Sequence, residues 1–520
     1  MMDWNILNPY RNEKGSRDRF YDKTGIAKHR EWRGWKDTAY DFTQWIVNLG
    51  LMVQFVSKSP VRIMRGMLEY RWMGSYLGSL HWIDKCMEGL QGPALRVAHT
   101  HMHAIMKGST GHIANAMKGD RRFGPTSEAD KQVLIEQAMS TELISGFPGL
   151  TPMSLEAFQG LLGVYMDQQL PVHYLDIMEK NGLPADSCRL SATATGVAID
   201  DDFPKNGACI LVNNMPCDSS TMNSQLIDRR FDIPSMVTAL PMRWEDEKTD
   251  IIALQTLKRA IAFVEENTGE KFDGNAFLAM MKKHNEEVEA EFQKWEYMRT
   301  PYTAYGCTMV NIFHVFLYAF SGGRLPYVLE AQKKGLKIAE KAYRDKVNCF
   351  PKTRHRVIVW GGPGCYNFHF ASWLYNCWGL LVIAQMDNFE GNVIIPTDSV
   401  DNALVGVAHN YERSVMRRHL TGGYQHLFEF WEEADRFNCD MVLMYDDITC
   451  KGALGLSGMV NEQCKDHPNI HLMWVSNDMF DHRTISRNDM RSQVNKYMFS
   501  VMQEEPLDAT LLDFDDDTGW

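Results

Sequence analysis

Six short apolar runs limit what this chain can fold into. They are GACILVNN (207–214), PSMVTAL (234–240), RVIVWGGPG (356–364), GLLVIAQMD (379–387), CDMVLMYDD (439–447) and NIHLMWVSND (469–478). Runs this short and this continuously apolar suit strands covered on both faces, as in a parallel sheet. Helical stretches separate them. Two of these are IIALQTLKRAIAFVEENTG and NAFLAMMKKHNEEVEAEFQKW, the first stopped by the Asn-Thr-Gly at 267–269. Strands alternating with helices predict parallel α/β units. The chain's 520 residues exceed one core. The expected architecture is therefore α/β, with two flavodoxin- or Rossmann-like parallel-sheet domains and an extended helical N-terminal region. The expected partition is a helical region over 1–180, a first α/β domain with associated helices over 181–330, a second over 331–505, and a solvated acidic tail over 506–520.

Residues 30–180 read as helical. TAYDFTQWIVNLGLMVQFV, VRIMRGMLEYRWMGSYLGSLHWIDKCMEGL and EADKQVLIEQAMSTELI repeat apolar residues at intervals of three and four. Their Met and Trp content suits adaptable helix packing, the other reading being a cofactor or lipid surface. WIVNLGLMVQFV (45–56) is shorter than the roughly 20 apolar residues of a membrane span. GCTMVNIFHVFLYAFSGG (306–323) carries Asn311 and His314. Both are expected to be buried helices, so no membrane span is expected. The first residues lack the apolar core of a signal peptide, which implies a cytoplasmic protein. A net charge of −12 argues against a nucleic-acid partner.

Eleven cysteines in a reducing compartment do not suggest a disulfide framework. No C-x-x-C is present, so zinc-ribbon and c-type haem readings lose support. What matters is where the cysteines fall. Cys217 follows the run at 208–214, Cys450 follows the run at 440–445, and Cys188 lies in ADSCRLSATATGVAI. Ligands of open α/β sheets gather beyond the carboxyl ends of strands. Cys86, Cys209, Cys307 and Cys377 lie in helical or apolar runs and read as structural. Any single strand-end cysteine also has a structural reading, and spacing alone does not make a metal site.

Three further motifs stand out. GGPG (361–364) suits either a phosphate-cradling turn or a plain tight turn, and is neither G-x-G-x-x-G nor a P-loop. The alternating histidines of HTHMH (99–103) read as polar loop residues. Asp478, Asp481 and Arg483 read as an ion-paired turn ahead of a helix capped by Ser486 and Asp489.

The stretch MWVSNDMFDHRTISRNDMRSQVNKYMFSVM (473–502) resembles the C-terminal signature of the 2-hydroxyacyl-CoA dehydratase D-component family, which includes the core subunits of benzoyl-CoA reductase. DSCRLSATATGVA, the strand into NNMPCDSS, ENTGEKFDGNAFLAMMKKHNE, RHRVIVWGGPG and DDITCKGALGLSG follow in the family's order, over roughly 180–505. The resemblance implies one [4Fe–4S] cluster held by Cys188, Cys217 and Cys450, leaving one iron without a cysteine. It implies an acyl-CoA substrate, a homologous second subunit and an ATP-dependent iron–sulfur activator. The implied reaction is radical dehydration of a 2-hydroxyacyl-CoA through a ketyl. Its alternative is reduction of an aromatic-ring acyl-CoA, as in benzoyl-CoA reductase. The first 150 or so residues match no family motif. Their apolar helices are the natural candidate for the contact with the second subunit, unless they pack only internally.

Overall fold

The computed structural model describes residues 34–75, 89–136, 141–154, 169–213, 232–241, 247–307, 321–362, 364–367, 369–389, 391–413 and 424–512, with a few isolated positions between. Among these residues eight strands form two sheets. The first holds β1 (Gln132–Glu136), β2 (Thr151–Ser154), β3 (Cys209–Asn213) and β4 (Ser235–Thr238), all parallel, in the order β2-β1-β3-β4. The second holds β5 (His355–Trp360), β6 (Leu380–Gln385), β7 (Met441–Asp447) and β8 (His471–Asn477), again parallel, in the order β6-β5-β7-β8. The two orders are the same, so β1 corresponds to β5 and β3 to β7.

Helices α1 (Trp35–Lys58), α2 (Pro60–Glu69) and α3 (Gly92–Gly119) precede the first sheet. Between β2 and β3 come α4 (Gln169–Lys180) and α5 (Arg189–Ile199). Between β4 and β5 come α6 (Glu247–Thr268), α7 (Gly274–Met298) and α8 (Pro326–Arg344). After β6 come α9 (Val400–Glu412), which returns to the first sheet's core, and α10 (Tyr424–Arg436); α11 (Ser457–Cys464) follows β7 and α12 (Arg487–Tyr497) follows β8. Local chemistry sets several of these ends. Gly269 takes φ +74, which closes α6. Asp273 accepts from the backbone N–H of Asn275 and Ala276 to start α7. Ser486 and Asp489 form the expected capping box on α12.

Strand residues alternate between two covered faces. Leu134, Met153, Ile210 and Val212 pack with α2, α3, α4 and α5. Val133, Ile135, Cys209 and Leu211 pack with α6, α7 and α9 on the other side. In the second sheet Ile358, Trp360, Leu381 and Ile383 meet α3, α8 and α10, while Val357, Val359, Leu380 and Val382 meet α12. Burying each such side chain is worth about 1.5–3 kcal/mol, which is why the runs are continuously apolar. Two helices join the cores. α3 gives Ala94–Met106 to the second sheet's core and Ile113–Met117 to the first's. α7 gives Phe277 and Met281 to the first and Met298 to the second.

Four sequence expectations are corrected. EADKQVLIEQAMSTELI is not one helix: Gln132–Glu136 is the strand β1, and Leu143–Gly146 is a 3-10 turn. Its three consecutive apolar residues satisfy a doubly covered strand as well as a helix turn, and pairing with β2 and β3 decides the matter. HTHMH is the interior of α3, not a loop. His99 and His103 share a face toward α1, where His99 Nε2 meets Asp41 Oδ1 at 2.7 Å and His103 Nδ1 meets Asn48 Oδ1 at 3.2 Å. His101 points the other way and stacks on Phe313 at 4.0 Å; burial holds its pKa down at about 3. WIVNLGLMVQFV is helical but only partly buried: Asn48 and Phe55 are buried and Leu51, Met52 and Val56 pack inward, whereas Trp45, Ile46, Val47, Leu49 and Val53 are exposed. Within the expected solvated tail, Leu511 is buried and its carbonyl accepts from Trp373 Nε1 at 2.9 Å. The aspartates from Asp513 onward lie outside the described residues, as do Asn311 and Cys86. No described helix is long and apolar enough to cross a membrane.

Candidate functional site

In a 2-1-3-4 sheet the connections leave strands one and three in opposite directions, and the crevice between them at the carboxyl ends is where ligands bind. This chain has two such points, at β1/β3 and at β5/β7. Cys450 follows the end of β7 at Asp447. Cys217 follows the end of β3 at Asn213 and lies outside the described residues. In sequence the two cysteines occupy corresponding positions of the two sheets.

Cys450 is half-buried and heads the short helical turn Lys451–Gly455. Its N–H donates to Asp447 O at 3.0 Å, and its carbonyl accepts from Leu454 N at 3.0 Å. Cys188 is buried and heads α5, its carbonyl accepting from Ala192 N at 2.9 Å. Neither side chain makes a capping hydrogen bond. Cysteine is a poor cap where Ser, Thr, Asp or Asn are favoured, so capping does not explain either residue. The two turns approach each other: Lys451 Nζ lies 2.8 Å from Asp186 Oδ2. Both partners are exposed, so the pair marks proximity more than it adds stability. The bond from Lys451 also holds the Asp186 carboxyl below its usual range.

Behind Cys188 and Cys450 lies the expected ion-paired turn, joined by a partner that the expectation did not include. Asp481 accepts from Arg483 N, Nε and Nη2, as expected for a structural turn. Asp478 belongs to the same turn, its Oδ1 accepting from Phe480 N at 3.0 Å and Asp481 N at 2.9 Å, but its Oδ2 faces Arg189, the residue after Cys188, whose Nε donates to it at 3.2 Å. Arg189 also reaches Glu179 at 3.1 Å and Asp481 at 3.8 Å. Thus the start of α5, in the first sheet's half, is tied to the end of β8 in the second's. Nearby Asp447 accepts from Thr449 N and Oγ1, both at 2.9 Å. Burial, with Asp478 adding to it, pushes the Asp447 carboxyl up to about 6 against those donors. Burial likewise raises Asp478. Arg189 has a sequence signal: an arginine beside a candidate ligand needs a carboxylate partner when buried. Its partner lies almost three hundred positions away, which no local spacing reveals.

The GGPG loop packs tightly. A Cβ at Gly361, which has φ +90, would lie 2.9 Å from Tyr445 O, and one at Gly362 would lie 2.8 Å from Met479 Cε. Asn477 Nδ2 donates to Gly362 O at 2.8 Å. These contacts favour the tight-turn reading at the end of β5. Pro363 lies outside the described residues.

Five further cysteines behave as apolar residues. Cys209, Cys307, Cys377 and Cys439 are buried, and burial pushes their thiols up to about 12. Cys349 is pushed up to about 11 by the same cause. Among the described residues no three His, Cys, Asp or Glu side chains form a metal-binding group.

A second polar cluster lies along α7 and was missed in the sequence. His284, Glu287, Glu291 and Lys294 are all buried, at intervals of three, four and three, which is core spacing. Glu287 accepts from Ser321 Oγ at 2.6 Å and Gly323 N at 3.1 Å; burial pushes its carboxyl up to about 7. Burial opposes charge on His284, but Glu142 at 3.3 Å outweighs it and the ring's pKa is raised. Burial would also raise Glu291, but its ion pair with Lys294 and the nearby His314 hold it low. The legible signal was charge at core positions of an otherwise amphipathic helix.

Residues 141–498 match the family model of 2-hydroxyglutaryl-CoA dehydratase, D-component. The chain belongs to that family. It is a 2-hydroxyacyl-CoA dehydratase-type component, which implies partner subunits and an acyl-CoA substrate. No individually curated protein matches it. Cys188, Cys217, Cys450 and the Arg189–Asp478 pair fall within the D-component match, whereas α1, α2, α3 and β1 precede it.

Proposed function

We propose that this chain is the iron–sulfur subunit of an ATP-dependent 2-hydroxyacyl-CoA dehydratase, with Cys188, Cys217 and Cys450 as ligands of a [4Fe–4S] cluster. The observation that carries this reading is the approach of the Cys188 turn to the Cys450 turn, marked by Lys451 and Asp186 at 2.8 Å. The donor set fits such a group. Iron–sulfur iron takes thiolates, the two described cysteines are not used as caps, and helix starts suit a negative sulfur. When bound, the cluster supplies low-potential electron transfer and an iron open to an oxygen ligand.

The chain's own residues position this site. Arg189 fixes the start of α5, and with it the Cys188 backbone, against Asp478 at the end of β8. The Asp447–Thr449 turn fixes the approach to Cys450. Drawing ligands from both halves makes the seam between the sheets the place where a thioester would lie. The sequence holds no P-loop, so ATP hydrolysis belongs to a separate activator, and a homologous subunit completes the substrate pocket.

The test is anaerobic assay of the chain with its homologous subunit and ATPase against a panel of CoA esters. Enoyl-CoA formed without net reduction, and only with all components present, is the expected result. A reduced aromatic ring would move the chain to the benzoyl-CoA reductase side of the family. Sustained turnover by the chain alone with an artificial reductant would overturn the partner requirement.

A further inference from the structure

Helix α1 carries two stripes of the same spacing on opposite sides. Asp37, Asp41, Gln44 and Asn48 begin one of them, and it faces α3. Asp37 accepts from Gly92 N at 2.8 Å and Arg96 Nη2 at 2.9 Å, while Asp41 and Asn48 meet His99 and His103. The other stripe is Trp35, Ala39, Phe42, Ile46, Leu49 and Val53, at intervals of four, three, four, three and four. All six are exposed, with Trp35 at 77%, Phe42 at 63% and Val53 at 65%. In its first half the helix uses this polar stripe inward, Leu51, Met52 and Phe55 taking over the inward side further along, while the second, apolar stripe faces water over its whole length.

We propose that this apolar stripe pairs with the α1 of a second copy of the chain, as a two-stranded coiled coil. The alternation of four and three is the heptad seam that such pairing needs. Ile46 and Val53 fall at one seam position and Leu49 at the other, the arrangement that favours two strands. The stripe runs as one row of exposed apolar side chains, the kind of face that marks an interaction surface rather than the singly scattered apolar residues of an ordinary monomer. Between Lys36 and Lys58 the exposed surface of α1 carries no charge. A two-fold contact sets a surface against itself, and an uncharged surface does so without repulsion. The family match begins at residue 141, so a related subunit need not carry a matching helix. A second copy carries one by definition. A lipid surface is less suited, because an interfacial helix sets Lys and Arg along its polar face, and here that face is held by acids and amides against α3.

The test is sedimentation equilibrium of the full chain, purified anaerobically, across the micromolar range, with hydrogen exchange read at 35–53. A dimer is expected, with protection of 35–53 falling on dilution. Ile46→Glu with Leu49→Glu should weaken association at least 100-fold without loss of helical circular dichroism, whereas Phe428→Glu on α10 should not. A monomer at all concentrations, or a dimer that survives the double substitution, would overturn the proposal. So would protection of 35–53 that appears only with the homologous subunit, or only with phosphatidylcholine–phosphatidylglycerol vesicles. The exchange measurement uses the unaltered chain, so a misfolded variant leaves the proposal open to refutation.

Discussion

Arg189 Nε donates to Asp478 Oδ2 at 3.2 Å, joining the residue after Cys188 to the carboxyl end of β8. Both side chains are buried. Removing one partner of a buried pair costs roughly 3–5 kcal/mol, because the other is left uncompensated. Arg189→Met should therefore lower the thermal midpoint markedly. Burial already raises the Asp478 carboxyl, so in the variant acid relieves the defect by protonating it. The drop in midpoint should be larger at pH 7.5 than at pH 5.5. An equal drop at both values would mean that Asp478 does not change its protonation between them in the variant.

Asp447 gives the second pH dependence. Folding raises its carboxyl to about 6, against roughly 4 in an unfolded chain. The folded chain thus keeps a proton that the unfolded chain has lost, and stability falls as pH climbs from about 4 through about 6. Asp447→Asn should flatten the curve of midpoint against pH in that window. A parallel curve for the variant would assign the dependence to other groups.

The α7 cluster predicts non-additive substitutions. Glu291→Leu leaves Lys294 buried beside His314 and should cost roughly 3–5 kcal/mol. Glu291→Leu combined with Lys294→Met replaces both charges with apolar groups of similar size and should recover most of that loss. Denaturant midpoints of the single and double variants give the answer; additive losses would show that the two side chains do not act as a pair.

Much of the scaffold was legible. Strands β3 to β8 were read from continuous apolar runs, since a doubly covered parallel strand has little polar alternation to obscure it. β1 and β2 were not, because QVLIE and TPMS are short and sit in a region rich in helical periodicity. α1 was read as helical but placed inside, because an apolar stripe gives the direction of its partner only when the opposite stripe's partners are known. Cys450 was legible as a strand-end residue, whereas the helix starts that it and Cys188 occupy were not. The Arg189–Asp478, Glu287–Ser321 and His284–Glu142 contacts were not legible, because those counterparts lie far off in sequence; the Glu291–Lys294 pair is local, and only its burial was not legible.

The most direct measurement is iron and acid-labile sulfide per chain after anaerobic reconstitution, for the unaltered protein and for Cys188→Ser, Cys217→Ser, Cys450→Ser and Cys377→Ser. The ligand assignment predicts about four irons per chain for a [4Fe–4S] cluster, retained by Cys377→Ser, whose site is a buried apolar one. Each of the other three variants should lose most of its iron and its brown colour. Full iron in any one of those three would contradict the assignment of that cysteine, and full iron in all three would refute the proposed site.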